Sequence, residues 1–105
     1  MPTERKRFRE ALLGKEEFVY TLELVPGRGS RGKTQDEILR LAEQVAQSKL
    51  VHALSVTDNP GGHPALSPDV IGLEISRLGI DPIIHFTCKD KNRNQIESIL
   101  YSLDR

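Results

Sequence analysis

The sequence predicts an α/β fold with a parallel sheet: a short lead-in helix followed by three strand–helix units. Three observations predict it. Segments rich in β-branched and aromatic residues alternate with segments whose apolar residues recur at helical spacing, the order of a parallel sheet with helical crossovers. The candidate strand ends Glu23, Thr57 and Thr87 stand 34 and 30 positions apart, which is one strand–helix unit each. An eight-unit barrel of about 250 residues spends about 31 residues per unit, so the 105 residues present hold about three units and a lead-in helix. Three parallel strands begin an open sheet or form a section of a barrel; they do not close one.

The lead-in helix is expected within residues 1–16, with Thr3 as its N-cap, Phe8, Leu12 and Leu13 on one face and Gly14 as its stop. The basic triplet Arg5-Lys6-Arg7 has acidic residues on both sides and reads as a solvated helix face. Phe18 to Val25 reads as the first strand, closed by Pro26-Gly27. After a loop from Arg28 to Lys33, Thr34 is expected to cap a helix with Ile38, Leu41, Ala42, Val45 and Ala46 as its buried stripe. The second strand is expected over His52 to Thr57, before the turn Asp58-Asn59-Pro60-Gly61-Gly62. Ser67-Pro68-Asp69 supplies a cap, a proline at the first helical position and a first-turn acid. Ile71, Ile75 and Leu78 line that helix and Gly79 ends it. Asp81-Pro82 introduces the third strand, Ile83 to Cys88, and a last helix presents Ile96, Ile99, Leu100 and Leu103.

Composition narrows the function classes. Fifteen Lys and Arg balance 15 Asp and Glu, which argues against a nucleic-acid binder with its usual basic excess. One Cys excludes an internal disulfide framework and fits a reducing compartment. No apolar run approaches the roughly 20 residues that span a bilayer, and Met1 to Glu10 is too charged for a secretory signal. A soluble, cytoplasmic protein with no membrane partner is expected.

Each strand ends in polar residues within an apolar run: Glu23, then Ser55 and Thr57, then His85 and Thr87. In parallel α/β folds ligands bind at the carboxyl ends of the strands, so the three clusters converge on one rim; the plainer reading is that loops begin there. Glu23 lies between Leu22 and Leu24. A buried carboxylate there is either paired with a Lys or Arg, or has a raised pKa suited to giving a proton near neutral pH. His85 is either a satisfied core histidine or a ligand contact. One Cys, with neither His-x-x-x-His nor Cys-x-x-Cys spacing, leaves His52, His63, His85 and Cys88 short of a metal site, and no base pattern marks Cys88 as a nucleophile. The glycines after Asn59-Pro60 allow close approach to a planar or phosphorylated ligand, or form a tight turn. That loop has no phosphate-loop or dinucleotide spacing.

Taken together, the strand ends resemble the methylenetetrahydrofolate reductase family. Leu22-Glu23-Leu24-Val25-Pro26-Gly27 stands in the place of its first motif, a strand ending in an aromatic-flanked Glu followed by Pro. Ser55-Val56-Thr57-Asp58-Asn59-Pro60-Gly61-Gly62 is similar to its second motif, and His85-Phe86-Thr87-Cys88-Lys89-Asp90 to its third. Order and spacing agree from about Phe18 to Leu103. The resemblance implies the first three units of a TIM (β/α)8 barrel that reduces 5,10-methylenetetrahydrofolate to 5-methyltetrahydrofolate, within one-carbon metabolism and methionine biosynthesis. It implies a flavin, FAD or alternatively FMN, reloaded by NAD(P)H or another electron donor. By position it makes Glu23 the acid that helps open the folate ring, and gives Thr57, Asp58 and His85 to the cofactor. The family often carries an aromatic where this chain has Asp58, and its Arg-Gly-Asp segment is not in the sequence. Residues 1–105 are therefore expected to be one partial domain, inactive alone, which forms a homo-oligomer or associates with further chain. The alternatives are a non-catalytic half-barrel accessory module and a folate- or corrinoid-linked methyltransferase barrel.

Overall fold

A computed structural model describes residues 6–105; the expected Thr3 cap and Arg5 lie outside the described residues. In chain order the elements are α1 (Phe8–Gly14), β1 (Thr21–Leu24), α2 (Lys33–Ser48), β2 (Ala53–Val56), a 3-10 turn (Pro60–Gly62), α3 (Pro68–Arg77), β3 (Asp81–Ile84) and α4 (Arg93–Asp104). The strands form one parallel sheet in the order β1-β2-β3. Glu23 is level with Ser55, and Ser55 with Ile83. The fold is thus the α/β sheet expected, open at both edges.

Side chains alternate across a strand, and this alternation sorts the sheet. Leu24, Leu54 and Val56 point to one face and form the core with Ala42, Val45 and Ala46 of α2, Ile71 and Ile75 of α3, and Ile80. β2, flanked on both sides, is the most buried strand. α3 lies close on β3 because residue 72 is glycine: a Cβ there would collide with Ile84 Cδ1 and stand 3.6 Å from Pro82 Cβ.

Several boundaries depart from expectation for identifiable reasons. β1 is shorter than Phe18 to Val25 because a side chain replaces the ladder at its start: the Tyr20 N–H donates to His52 Nδ1 (3.2 Å), while the His52 N–H donates to the Tyr20 carbonyl (2.8 Å). β3 begins at Asp81 and includes Pro82, which an edge strand tolerates. It stops at Ile84 rather than Cys88. α2 is capped by Gly32 at φ 112°, ψ −170°, a conformation open essentially to glycine alone, and Thr34 lies inside the helix. Leu41 is exposed, whereas Leu39 packs against the core. In α3 the stripe is Pro68, Ile71, Gly72 and Ile75, with Leu78 exposed. Gly14 is not the αL stop of α1; Lys15 is, at φ 57°. Leu12 and Leu13 are exposed, as are Leu100 and Leu103 of α4. No helix among the described residues is long and apolar enough to cross a membrane.

α1 has no local side-chain cap. Its first N–H, from Phe8, donates instead to Asp81 Oδ2 at 2.8 Å, and Arg7 pairs with the same carboxylate. The start of β3 thus supplies the acid that a helix N-terminus favours.

Candidate functional site at the strand ends

The parallel ladder runs one step past the assigned strands. The Thr57 N–H donates to the Leu24 carbonyl (3.1 Å) and the His85 N–H to the Val56 carbonyl (3.0 Å). Continued alternation puts Thr57 and His85 side by side on the face that carries Glu23, Ser55 and Ile83, opposite the helix-packed face. A hollow of about 400 Å³ opens there, lined by Thr57, Asp58, Pro60, His85, Phe86, Thr87 and Lys89. Its size falls within the roughly 300–1,000 Å³ range of small-molecule sites.

Thr57 is buried, and its Oγ1 has no hydrogen-bond partner among the described residues. A buried hydroxyl without a partner is costly, so its position beside the hollow marks a place for a ligand donor or acceptor. His85, Phe86 and Thr87 are half-buried. Asn59, at φ 45°, holds the adjacent turn by accepting from the Ala65 N–H at 3.0 Å.

Glu23 is exposed, not buried between its leucines, and Leu22 is itself 44% exposed. The sheet face that carries Glu23 has no helix over it, which is why the expected desolvation is missing. Among the described residues no cation or hydrogen-bond donor engages its carboxylate, so the salt-bridge alternative finds no partner. Glu23 does not line the hollow; it shares the face with Thr57 and His85, one register step below.

Asp58 is committed to the protein. Its Oδ2 accepts from the Thr87 N–H (2.8 Å) and from Lys91 Nζ (2.5 Å), and Lys91 also donates to the Thr87 carbonyl (2.7 Å). The Lys91 ammonium stands 4.9 Å from the centre of the Phe86 ring, a cation–π contact. Burial acts to push the Asp58 carboxyl up, but the Lys91 ammonium, the Thr87 N–H and the charge of Lys89 hold it below its ordinary 3.8. Lys91 was not legible as a partner in the sequence. Asp58 after a buried strand asks for a cation, yet Lys89 and Lys91 are equivalent until the β3–α4 turn is built. Lys89 Nζ instead meets the Asn59 carbonyl (2.9 Å) and the Asp90 carboxylate (3.4 Å).

The remaining candidates fall elsewhere. His52 is buried as a structural link, its Nδ1 taking the Tyr20 N–H and its Nε2 facing Glu17 at 3.2 Å. His63 lies against Arg28 (3.4 Å) and Cys88 is exposed. Among the described residues no three His, Cys, Asp or Glu side chains form a metal-holding group. Gln35 is a buried polar residue that the periodicity did not reveal: its amide donates to the carbonyls of Pro26 (2.7 Å) and Gly29 (3.0 Å), pinning the loop after β1.

Residues 7–104 match the family model described as Methylenetetrahydrofolate reductase. No curated protein and no solved structure matches the chain.

Proposed function

From the chain's membership of the methylenetetrahydrofolate reductase family, an oxidoreductase family, we infer that it takes part in the flavin-dependent reduction of 5,10-methylenetetrahydrofolate to 5-methyltetrahydrofolate. The observation that carries this reading is the orphaned Thr57 Oγ1 beside His85, at a hollow of ligand size on the sheet face that also bears Glu23. A planar heteroaromatic with ring nitrogens and carbonyls fits that setting, because it offers hydrogen-bond partners at its edge and a flat surface to Phe86 and His85. The flavin, FAD or FMN, supplies hydride when bound. NAD(P)H or another donor is its source of electrons, and the folate is the acceptor.

The chain's own residues bind and move a proton. Thr57 and His85 would hold the cofactor. Asp58 acts from behind them, because its carboxylate is already taken by Lys91 and Thr87. Glu23, without a partner among the described residues and on the same face, is the general acid that protonates the folate's amine nitrogen as the five-membered ring opens. That role needs access to the substrate, and the exposed carboxyl has it.

Glu23→Gln in the full-length protein keeps the shape and removes the proton. Flavin binding and flavin reduction are expected to survive. Flavin reoxidation by methylenetetrahydrofolate is expected to slow by at least about 10²-fold, the lower end of what general acid catalysis contributes. Stopped-flow measurement of the two half-reactions separates the steps. Equal losses in both, together with a lower melting temperature, would make Glu23 a structural residue.

A further inference from the structure

We propose that Asp58 and Lys91 form an ion-pair latch that positions Thr57 and His85 for the flavin. This inference rests on the preceding reading of those two residues as cofactor contacts and adds how their spacing is set.

The pair is nearly dry: the Asp58 and Lys91 side chains are 8% and 10% exposed, with Nζ 2.5 Å from Oδ2. Removing two ions from water costs several kcal/mol each, and well-packed apolar residues in place of such a pair are often as stable or more so. Stability is therefore a weak reason for this pair, whereas fixing one arrangement of the chain is a use for which buried pairs are known.

The contacts state which arrangement. Both backbone polar groups of Thr87 are occupied, its N–H by Asp58 and its carbonyl by Lys91. The other end of the same short segment is held where the His85 N–H meets the Val56 carbonyl. Residues 85–87 are thereby tied at both ends to residues 56–58, with Thr57 between the ties. Phe86, which also lines the hollow, is held under the Lys91 ammonium. The neighbouring pair Lys89–Asp90 also meets Asn59, at its carbonyl and its side-chain amide, but is about half exposed, where ion pairs are worth little.

The decisive variant is the double substitution Asp58→Leu with Lys91→Met in the full-length protein, because it removes both charges and the acceptor of the Thr87 N–H and leaves no ion buried alone. Lys91→Arg, which keeps the charge and the link to Asp58, is the conservative control. Three quantities are compared with wild type: FAD and FMN dissociation constants by fluorescence quenching, the melting temperature of the flavin-free protein, and hydrogen exchange at the Thr87 amide. The latch requires the double variant to melt near wild type, lose Thr87 protection and bind flavin at least about 10-fold more weakly, the scale of a lost charged hydrogen bond. Lys91→Arg must recover most of the affinity. Unchanged flavin affinity in a folded double variant overturns the proposal, as does a fall in melting temperature with affinity intact. A wild-type protein that binds neither flavin overturns the functional reading on which the proposal rests, and is recognised before any substitution is made.

Discussion

Asp58 meets two opposing forces, its own burial and the Lys91 ammonium beside it, and the second prevails, so its carboxyl is held below 3.8 when folded. A group depressed in this way contributes stability above its unfolded value and loses it as pH falls through the folded one. The contribution is whole at pH 7 and fades below about 3.8. Urea unfolding between pH 7 and pH 3 is expected to show this acid limb in wild type and a shallower one in Asp58→Asn, which has no proton to take up there. A variant with the wild-type slope would place the acid sensitivity on other carboxylates. Glu23 lies in a different setting. Its neighbours in sequence are apolar and Leu24 is buried in the core, but no layer covers the face on which Glu23 itself lies, so a residue that reads as buried in one dimension is wet in three.

Among the elements, the cap of α2 is where a small change has the clearest cost. Gly32 sits at φ 112°, ψ −170°, and holding an L side chain there costs about 1–3 kcal/mol. Gly32→Ala is expected to lower unfolding free energy by that amount, read from the urea midpoint at constant m. No loss would mean that the loop reorganises around the new residue. The same helix shows how far the sequence carried. Ile38, Ala42, Val45 and Ala46 follow from the 3.6-residue period, but Leu41 lies outside the arc that α3 and the sheet cover, and Leu39 takes its place. Gln35 escaped notice because its partners are loop carbonyls, which no periodicity records. The strand order and the rim positions of Thr57 and His85 were legible because strand ends in a parallel sheet share one side. The latch was not, because it joins residues 33 apart and depends on β3 stopping at Ile84 so that the chain can turn back over Asp58.

As a whole the chain is a slab rather than a ball: its extents are 47 × 32 × 24 Å and its radius of gyration is 14.7 Å, against roughly 13 Å for a compact domain of about 100 residues. β1 and β3 are both edge strands, and the face with Glu23 and Ile83 carries no helix layer. Open parallel edges recruit further strands, so the 105-residue polypeptide alone is expected to sediment above its 11.8 kDa monomer mass. Sedimentation velocity tests this, and a clean monomer carrying one flavin per chain would contradict it. At the opposite end of the slab, the acid that serves the first helix belongs to the third strand, 73 positions later. A ribosome adding about 5–20 residues per second takes about 4–15 s to cover that interval. For that time α1 exists without its cap, and a seven-residue helix is too short to persist alone in water. α1, made before the three strands, is therefore ordered only once the third strand exists, and its docking on Asp81 reports that this strand is in place.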